Sequence, residues 1–143
     1  RAATAFFHVF RQRLRCFPET KATLENLRQS GAATGIFTDV PYGMPQELVI
    51  EDIHDATLDG LTDVLLTSRD VGYRKPRVET IAAVARALNC AVDELTHVGN
   101  EKKDIDVALA LGCRAVLINR SGREIAWEQH QTITSLVELV AAK

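Results

Sequence analysis

Short apolar runs alternate with amphipathic segments along most of this 143-residue sequence. Four of the runs are typical of buried strands, because they are brief, largely apolar and bounded by turn-forming residues. These predicted strands cover residues 32–38 (AATGIFT), 63–67 (DVLLT), 95–98 (LTHV) and 114–118 (RAVLI). Strands separated by helices and joined by short connections form a parallel sheet with helices on both faces. The sequence therefore predicts an α/β fold with a doubly wound, Rossmann-like parallel sheet and four visible strands.

The segments between these strands carry apolar residues at helical spacing. The clearest stripe runs from Val78 to Leu88, with apolar residues at i, i+3, i+4 and i+7. Gly31 and Gly112 follow two other stripes, in the position where a glycine commonly ends a helix. Helices are predicted around residues 24–27, after Pro45, and over 78–88, 105–109, 4–14 and 133–140.

Composition excludes several classes of protein. The net charge of −2 and the lack of a Lys/Arg cluster argue against a nucleic-acid partner. The apolar runs are far shorter than the roughly 20 residues that a membrane span requires. Cys16, Cys90 and Cys113 are widely spaced and follow no metal-ligand pattern, so free thiols and a cytoplasmic location are expected.

Polar residues follow the predicted strands at the edge where α/β sheets bind ligands. Thr38 and Asp39 end the first strand, and Lys75 follows the second, just ahead of Pro76. Since Pro76 suits the first position of a helix, Lys75 is expected at a helix N-terminus, which attracts anions. Each residue also has a structural interpretation: Thr38 as a strand end, Lys75 as a solvated lysine.

The third strand is followed by the segment HVGNEKKDI, residues 97–105. Gly99 is expected to let the chain turn sharply off the strand. Asn100 and Asp104 are four residues apart, so they share a helical face and could offer oxygen ligands to a hard cation. His97 is the only histidine near this segment, and a hydrogen-bonded structural role is expected for it rather than a catalytic one.

Taken together, GIFTDVPYGMP, DVGYRKP and HVGNEKKDIDVALALGC resemble three signatures of the haloacid dehalogenase-like hydrolase superfamily, abbreviated HAD. The resemblance covers nearly the whole chain from Phe17 onward. It implies that the Thr38 hydroxyl, with Asp39 beside it, binds a transferred phosphoryl group. It also implies that Lys75 stabilises charge during catalysis, and that Asn100 and Asp104 hold Mg2+.

Two departures from the superfamily pattern change these expectations. Asn100 stands where the superfamily usually has aspartate, which removes a negative charge, so weaker Mg2+ binding is expected, with Glu101 as a neighbouring ligand. The nucleophilic Asp-x-Asp signature is also missing, because residues 1–37 contain no aspartate. The central strand that carries it is thus expected to lie outside this chain. Residues 1–16 would be a helical remnant of a cap or linker, and 17–143 an incomplete core.

The function implied is a Mg2+-dependent phosphatase that acts on a small phosphorylated metabolite through an aspartyl-phosphate. The isolated chain is expected to be inactive, and its partner would be a strand from elsewhere, including the N-terminal part of the same protein. The alternatives are a catalytically silent HAD-like binding or structural module, a metal-free dehalogenase, and a receiver-type phospho-acceptor domain. Where the central strand is missing, direct pairing of the strands ending at Thr38 and Val98 is favoured over a strand supplied by another polypeptide.

Overall fold

A computed structural model describes residues 2–141 of the chain. Strands and helices alternate as the sequence predicts, and all four predicted strands are confirmed. In chain order the elements are α1 (Ala2–Arg11), α2 (Thr20–Gln29), β1 (Gly35–Thr38), α3 (Gln46–Asp55), β2 (Val64–Thr67), α4 (Ser68–Val71), α5 (Val78–Leu88), β3 (Thr96–Gly99), α6 (Lys102–Leu111), β4 (Arg114–Ile118), β5 (Gln131–Ile133) and α7 (Glu138–Ala141).

The strands form two parallel sheets rather than one. β1 pairs with β2, in a register that joins Gly35 to Val64 and Thr38 to Thr67. β3 pairs with β4, and β4 with β5. β1 and β3 do not hydrogen-bond to each other, so the expected direct closure of the sheet is wrong.

An apolar slot of about 920 Å³ lies between β1 and β3. The edges of both strands line it, together with side chains from α2 and α5, including Leu27, Val84 and Leu88. The helices account for the separation of the strands. α5 packs on β1 and β2 and also on α6, which itself packs on β3 and β4. Moving β1 against β3 would therefore break the helix contacts that bury the apolar core.

That core is centred on α6 and β4. Ile105, Ala108, Ala115 and Leu117 are completely buried there, and Ile81 of α5 joins them. α6 ends at Gly112, whose φ of +77° is a left-handed conformation that side chains other than glycine adopt at a cost. The predicted end of this helix is confirmed.

The predicted amphipathic helix over residues 133–140 is confirmed only at its C-terminal end and is wrong at its start. Gln131–Ile133 form the fifth strand, whose central residue Thr132 pairs with Leu117 of β4. The β-branched side chains favour this extended conformation, and Ile133 becomes fully buried. The helix starts only at Glu138, whose carboxylate accepts hydrogen bonds from the Thr134 and Ser135 backbone N–H groups.

Ion pairs connect the N-terminal helix α1 to α3. The Arg11 guanidinium bonds to Asp52 at 2.7 Å and to Glu51 at 3.0 Å. Phe6 and Val9 remain largely exposed on this helix. The predicted boundary at residue 16, between a helical remnant and the core, stays a prediction. Arg1 at the start of the first segment and residues 142–143 at the end of the second lie outside the described part of the chain.

No helix within residues 2–141 is both long and apolar enough to cross a membrane.

The two-sheet arrangement predicts a pattern of amide hydrogen exchange. In the 143-residue chain, residues 35–38 and 96–99 should exchange faster than 114–118, because β1 and β3 pair along one edge only whereas β4 pairs along both. Exchange measured by NMR tests this expectation. Equal protection of all three segments over a concentration series would contradict it, since the edges would then be paired within the monomer.

Candidate functional site

The carboxyl ends of β1 and β3, with the loop after β2, meet around a pocket of about 530 Å³. Thr38, Lys75, Asn100 and Asp104 all line it, together with residues of the loops that follow these strands. The expected gathering of these four residues at one edge is confirmed, whereas their individual roles stay predictions. The strands place the residues there because parallel strands deliver their carboxyl ends to the same side of a sheet.

An ion pair between Lys75 and Asp104 joins the two halves of the site. The Lys75 ammonium lies 2.7 Å from Asp104 Oδ1, and both side chains are nearly buried, at 12% and 4% exposed. Asp104 Oδ2 accepts hydrogen bonds from the Asn100 and Glu101 backbone N–H groups at 3.1 and 3.0 Å. Burial alone raises the pKa of the Asp104 carboxyl, but the Lys75 ammonium and the Glu101 N–H group outweigh it, so that pKa lies below its usual value.

The position of Gly99 has no space for a side chain. A Cβ at this position would lie 2.2 Å from Asp104 Cβ and 2.4 Å from its carboxylate. Gly99 does not adopt a positive φ, so a left-handed backbone is not the reason for a glycine here, and the sharp turn expected after it stays a prediction. The glycine allows the Asp104 side chain to fold back against the strand, where it reaches Lys75.

A second set of charges crosses the same edge. Asp39 Oδ1 accepts a hydrogen bond from the Lys75 backbone N–H at 3.2 Å, and its Oδ2 lies 3.3 Å from the Lys103 ammonium. Lys103 also lies 3.2 Å from the Glu101 carboxylate. Asp39 thus orients the Lys75 loop, and phosphate contact by Asp39 and metal binding by Glu101 stay predictions.

Lys75 does not lie at a helix N-terminus, contrary to the expectation. Helix α5 begins at Val78, and residues 74–77 form a turn closed by a hydrogen bond from the Arg77 N–H to the Arg74 carbonyl. Pro76, joined to Lys75 by a cis peptide bond, lies inside this turn rather than in the first position of the helix. Lys75 is oriented instead by Asp39 and Asp104.

Sequence reasoning missed the contribution of the loop after β2. Thr67 and Asp70 form a reciprocal capping box that starts α4, and the Ser68 hydroxyl accepts a hydrogen bond from the Val40 N–H at 2.9 Å. These bonds fix the backbone that follows Thr38. The Thr-x-x-Asp spacing is a recognised helix-start pattern and could have revealed the cap.

His97 lies against the ion pair from within the slot. Its Nε2 is 4.0 Å from Asp104 Oδ1, too far for a hydrogen bond, and it has no other hydrogen-bond partner within the described residues. No hydrogen bond to a described residue is formed at this nitrogen, and the structural role expected for His97 stays a prediction. Burial lowers the pKa of His97 to about 4, with the Lys75 charge acting in the same direction and Asp104 opposing it. The imidazole is neutral at pH 7.

The donor set does not by itself suit a divalent cation. Within residues 2–141, no three histidine, cysteine or carboxylate side chains come together in a way that could hold a metal ion. Both Asp104 oxygens already contact Lys75 or backbone N–H groups. Asn100 and Glu101 remain as oxygen donors, and a hard cation prefers at least one further carboxylate beside them.

Comparison with known proteins connects this site to an enzyme family. The family model described as haloacid dehalogenase-like hydrolase matches residues 3–118. Glyceraldehyde 3-phosphate phosphatase of Methanothermobacter thermautotrophicus is 30% identical over 108 residues, which are 74% of this chain and 46% of that protein. Phosphoglycolate phosphatase of Salmonella paratyphi A is 29% identical over 100 residues, covering 70% of this chain and 38% of that protein.

A solved structure agrees with these sequence matches. The HAD phosphatase from Thermococcus onnurineus superposes with a TM-score of 0.80 at 28% identity, covering 97% of this chain and 62% of that one. The chain therefore spans less than half the length of the two curated relatives and under two thirds of this structure.

The buried ion pair predicts a large difference between two neighbouring aspartates. Asp104→Ala should lower the free energy of unfolding by about 3 kcal/mol or more, because it leaves the Lys75 charge buried without a partner. Asp106→Ala is the matched control. Asp106 pairs with Lys102 in solvent at 2.6 Å, and its loss should cost less than about 1 kcal/mol. Urea unfolding of both variants tests this. Equal losses of unfolding free energy would show that the buried Lys75–Asp104 pair contributes no more to stability than the exposed Lys102–Asp106 pair.

The pKa of His97 predicts a pH dependence. An unfolded chain binds a proton at this histidine near pH 6.5, whereas the folded chain does so only near pH 4. Between these values the unfolded state holds more protons, so stability falls as the pH falls. His97→Gln should remove this loss, worth about 2 kcal/mol between pH 7 and pH 4.5.

His54 supplies the control of opposite sign. Asp59, 2.9 Å away, raises the pKa of the exposed His54, which therefore stabilises the fold below pH 6.5 and loses that contribution as the pH rises through its folded pKa. Urea midpoints of wild type, His97→Gln and His54→Gln at several pH values separate the two effects. If His97→Gln and wild type respond equally to pH, His97 does not carry the acid sensitivity.

Proposed function

Since the chain belongs to the haloacid dehalogenase-like hydrolase family, we propose that it is the phosphoryl-binding part of a phosphatase for small phosphate esters. The nucleophilic aspartate would come from a strand outside this chain. The observation that carries the proposal is the slot between β1 and β3, which lies beside Lys75, Asn100 and Asp104 at its carboxyl end.

The slot has the properties that a parallel strand requires. The carboxyl ends of β1 and β3 lie at the same pocket, and each strand offers one unpaired edge, so a strand between them can hydrogen-bond on both sides. Apolar side chains from α2 and α5 line the slot as well. A strand that enters parallel to its neighbours delivers its carboxyl end beside Lys75, which is where a nucleophilic carboxylate is needed.

The residues of this chain would then bind the phosphoryl group. The Thr38 hydroxyl would donate to a phosphoryl oxygen, and the Lys75 ammonium would offset the charge that develops as the aspartate attacks phosphorus. The P–O bond to the alcohol breaks as the aspartyl–phosphorus bond forms. Water later attacks the aspartyl-phosphate, which releases inorganic phosphate and regenerates the carboxylate. Asp104 holds Lys75 at 2.7 Å throughout, and Asp39 holds its backbone.

We propose Mg2+ as the cofactor, bound only when the entering strand adds a carboxylate to this edge. Asn100 and Glu101 would be the oxygen donors from this chain, with Asp104 orienting their loop through its hydrogen bonds to both backbone N–H groups. The cation would supply additional positive charge beside the phosphoryl oxygens. The three cysteines of this chain are free thiols, which agrees with the proposed cytoplasmic location.

A catalytically silent HAD-like module is the second candidate. It is favoured by the amide of Asn100 in place of the expected acid and by the lack of any aspartate in residues 1–37. The two candidates differ in whether the complete protein, defined here as this chain with an aspartate-bearing strand in the slot, turns over a phosphate ester.

The proposal predicts a large kinetic effect at Lys75. In the complete protein with Mg2+, Lys75→Ala should lower kcat/KM for p-nitrophenyl phosphate by about 10²-fold or more, as loss of a preorganised charge typically does. Lys102→Ala is the control, because that lysine is 61% exposed and pairs only with Asp106. The 143-residue chain alone should show no turnover.

Two outcomes would decide against parts of this proposal. Hydrolysis by the 143-residue chain that is abolished by Lys75→Ala would place the nucleophile within the chain. An inactive complete protein that still folds would favour the silent module.

A further inference from the structure

Three cationic side chains line the pocket at the carboxyl ends of the strands, and Arg74 differs from the other two. Lys75 pairs with Asp104, and Lys103 pairs with Asp39 and Glu101. Arg74 has no carboxylate partner within the part of the chain that the structure describes, although it lines the same pocket. Its charge is therefore available to a ligand.

The Arg74 guanidinium is held in place without being neutralised. Its Nη1 donates a hydrogen bond to the Val40 carbonyl, and the group stacks 4.5 Å from the centroid of the Tyr42 ring. Val40 is itself fixed, since it is only 2% exposed and its N–H donates to the Ser68 hydroxyl at 2.9 Å. A guanidinium carries five N–H donors in a planar fork, so this anchoring leaves donors free for a planar anion.

Arg77 shows what the same arrangement looks like without a ligand role. It stacks 5.0 Å from the Tyr73 ring, but it pairs with Glu79 at 2.6 Å and does not line the pocket. Stacking on tyrosine is therefore common to both arginines, whereas an unpaired charge inside the pocket belongs to Arg74.

Arg74 balances an excess of negative charge among the residues that line the pocket. Asp39, Glu101 and Asp104 bring three carboxylates, against the two ammonium groups of Lys75 and Lys103. Without Arg74 the pocket would carry a net negative charge, which opposes a substrate with a second anionic group more strongly than one whose only charge is on the phosphoryl group. Lys75 and Thr38 serve the phosphoryl group in the proposed reaction, so Arg74 remains for a different anionic group on the same molecule.

We propose that Arg74, braced by Tyr42, forms a specificity subsite for a second anionic group of the substrate, either a carboxylate or a second phosphate. This inference rests on the proposed phosphatase function. The subsite selects phosphate esters with an anionic tail over esters with a neutral tail, because only the former offer anionic acceptors to the guanidinium group.

The test compares three esters in the complete protein: 2-phosphoglycolate, propane-1,3-diol bisphosphate and ethyl phosphate. Arg74→Ala should raise KM about tenfold or more for at least one ester with an anionic tail, and less than about threefold for ethyl phosphate, with kcat little changed. The bisphosphate and the phosphoglycolate arms distinguish a phosphate subsite from a carboxylate subsite. Ethyl phosphate turnover also shows that the variant is folded.

Further variants separate stacking from hydrogen bonding. Tyr42→Ala removes the brace and should raise KM for the anionic esters, and Tyr42→Phe, which keeps the ring, should raise it by less. Arg77→Ala, the matched control, should leave all three esters unchanged. An equal change for the three esters in Arg74→Ala would overturn the proposal, because Arg74 would then act on the shared phosphoryl group or on the loop.

A failure of the proposed function is separable from a failure of the subsite. If wild type hydrolyses none of the esters, the phosphatase proposal fails, and binding is measured instead by calorimetry. Phosphonoacetate or propane-1,3-bisphosphonate should then bind about tenfold or more tightly than ethylphosphonate, and Arg74→Ala should abolish the difference. Equal affinity of wild type for all three phosphonates would overturn the subsite as well.

Discussion

The Lys75–Asp104 ion pair is the interaction on which the candidate site depends. Lys75 follows one sheet and Asp104 lies in the first turn of the helix after a strand of the other, so their 2.7 Å contact ties together two sheets whose strands do not pair. Asp39 and Lys103 repeat the connection nearby at 3.3 Å. A buried ion pair is seldom more stable than packed apolar side chains of the same volume. The ion pair serves here to position a cation, because it holds the Lys75 ammonium beside the end of the slot.

Gly99 shows how far the local sequence is adapted to that pair. The strand could continue with any residue as far as its backbone angles are concerned, yet a single methyl group at position 99 would overlap the Asp104 side chain. Asp104 in turn organises the next loop by accepting two of its backbone N–H groups. One carboxylate thus orients both the lysine on the neighbouring sheet and the Asn100–Glu101 segment, so the spacing between Gly99 and Asp104 is a geometric requirement.

The sequence predicted the fold class and the edge where the site lies, because periodic patterns and strand ends are local properties. It failed where the outcome depended on tertiary contacts. Residues 131–133 have too short an apolar pattern to distinguish a strand from a helix, and pairing with β4 decides the matter. Direct closure of β1 on β3 was wrong because the packing of α5 on both β1 and α6 is invisible in sequence. Arg74 was overlooked because the sequence does not show which cations form ion pairs. Of the three cations that line the pocket, Arg74 is the one without a carboxylate partner among the residues that the structure describes.

The slot constrains whatever strand occupies it more tightly than the site residues do. Apolar side chains from α2 and α5 line it, and a strand that alternates apolar and polar residues would bury polar groups there without partners. Its carboxyl end, by contrast, emerges among Lys75, Asn100 and Asp104. A continuous apolar run ending in a carboxylate satisfies both conditions at once: the run supplies the burial, and Lys75 offsets the charge at the one end where polar surroundings begin. The same geometry that leaves β1 and β3 unpaired in this chain therefore specifies the composition and direction of the strand that completes them.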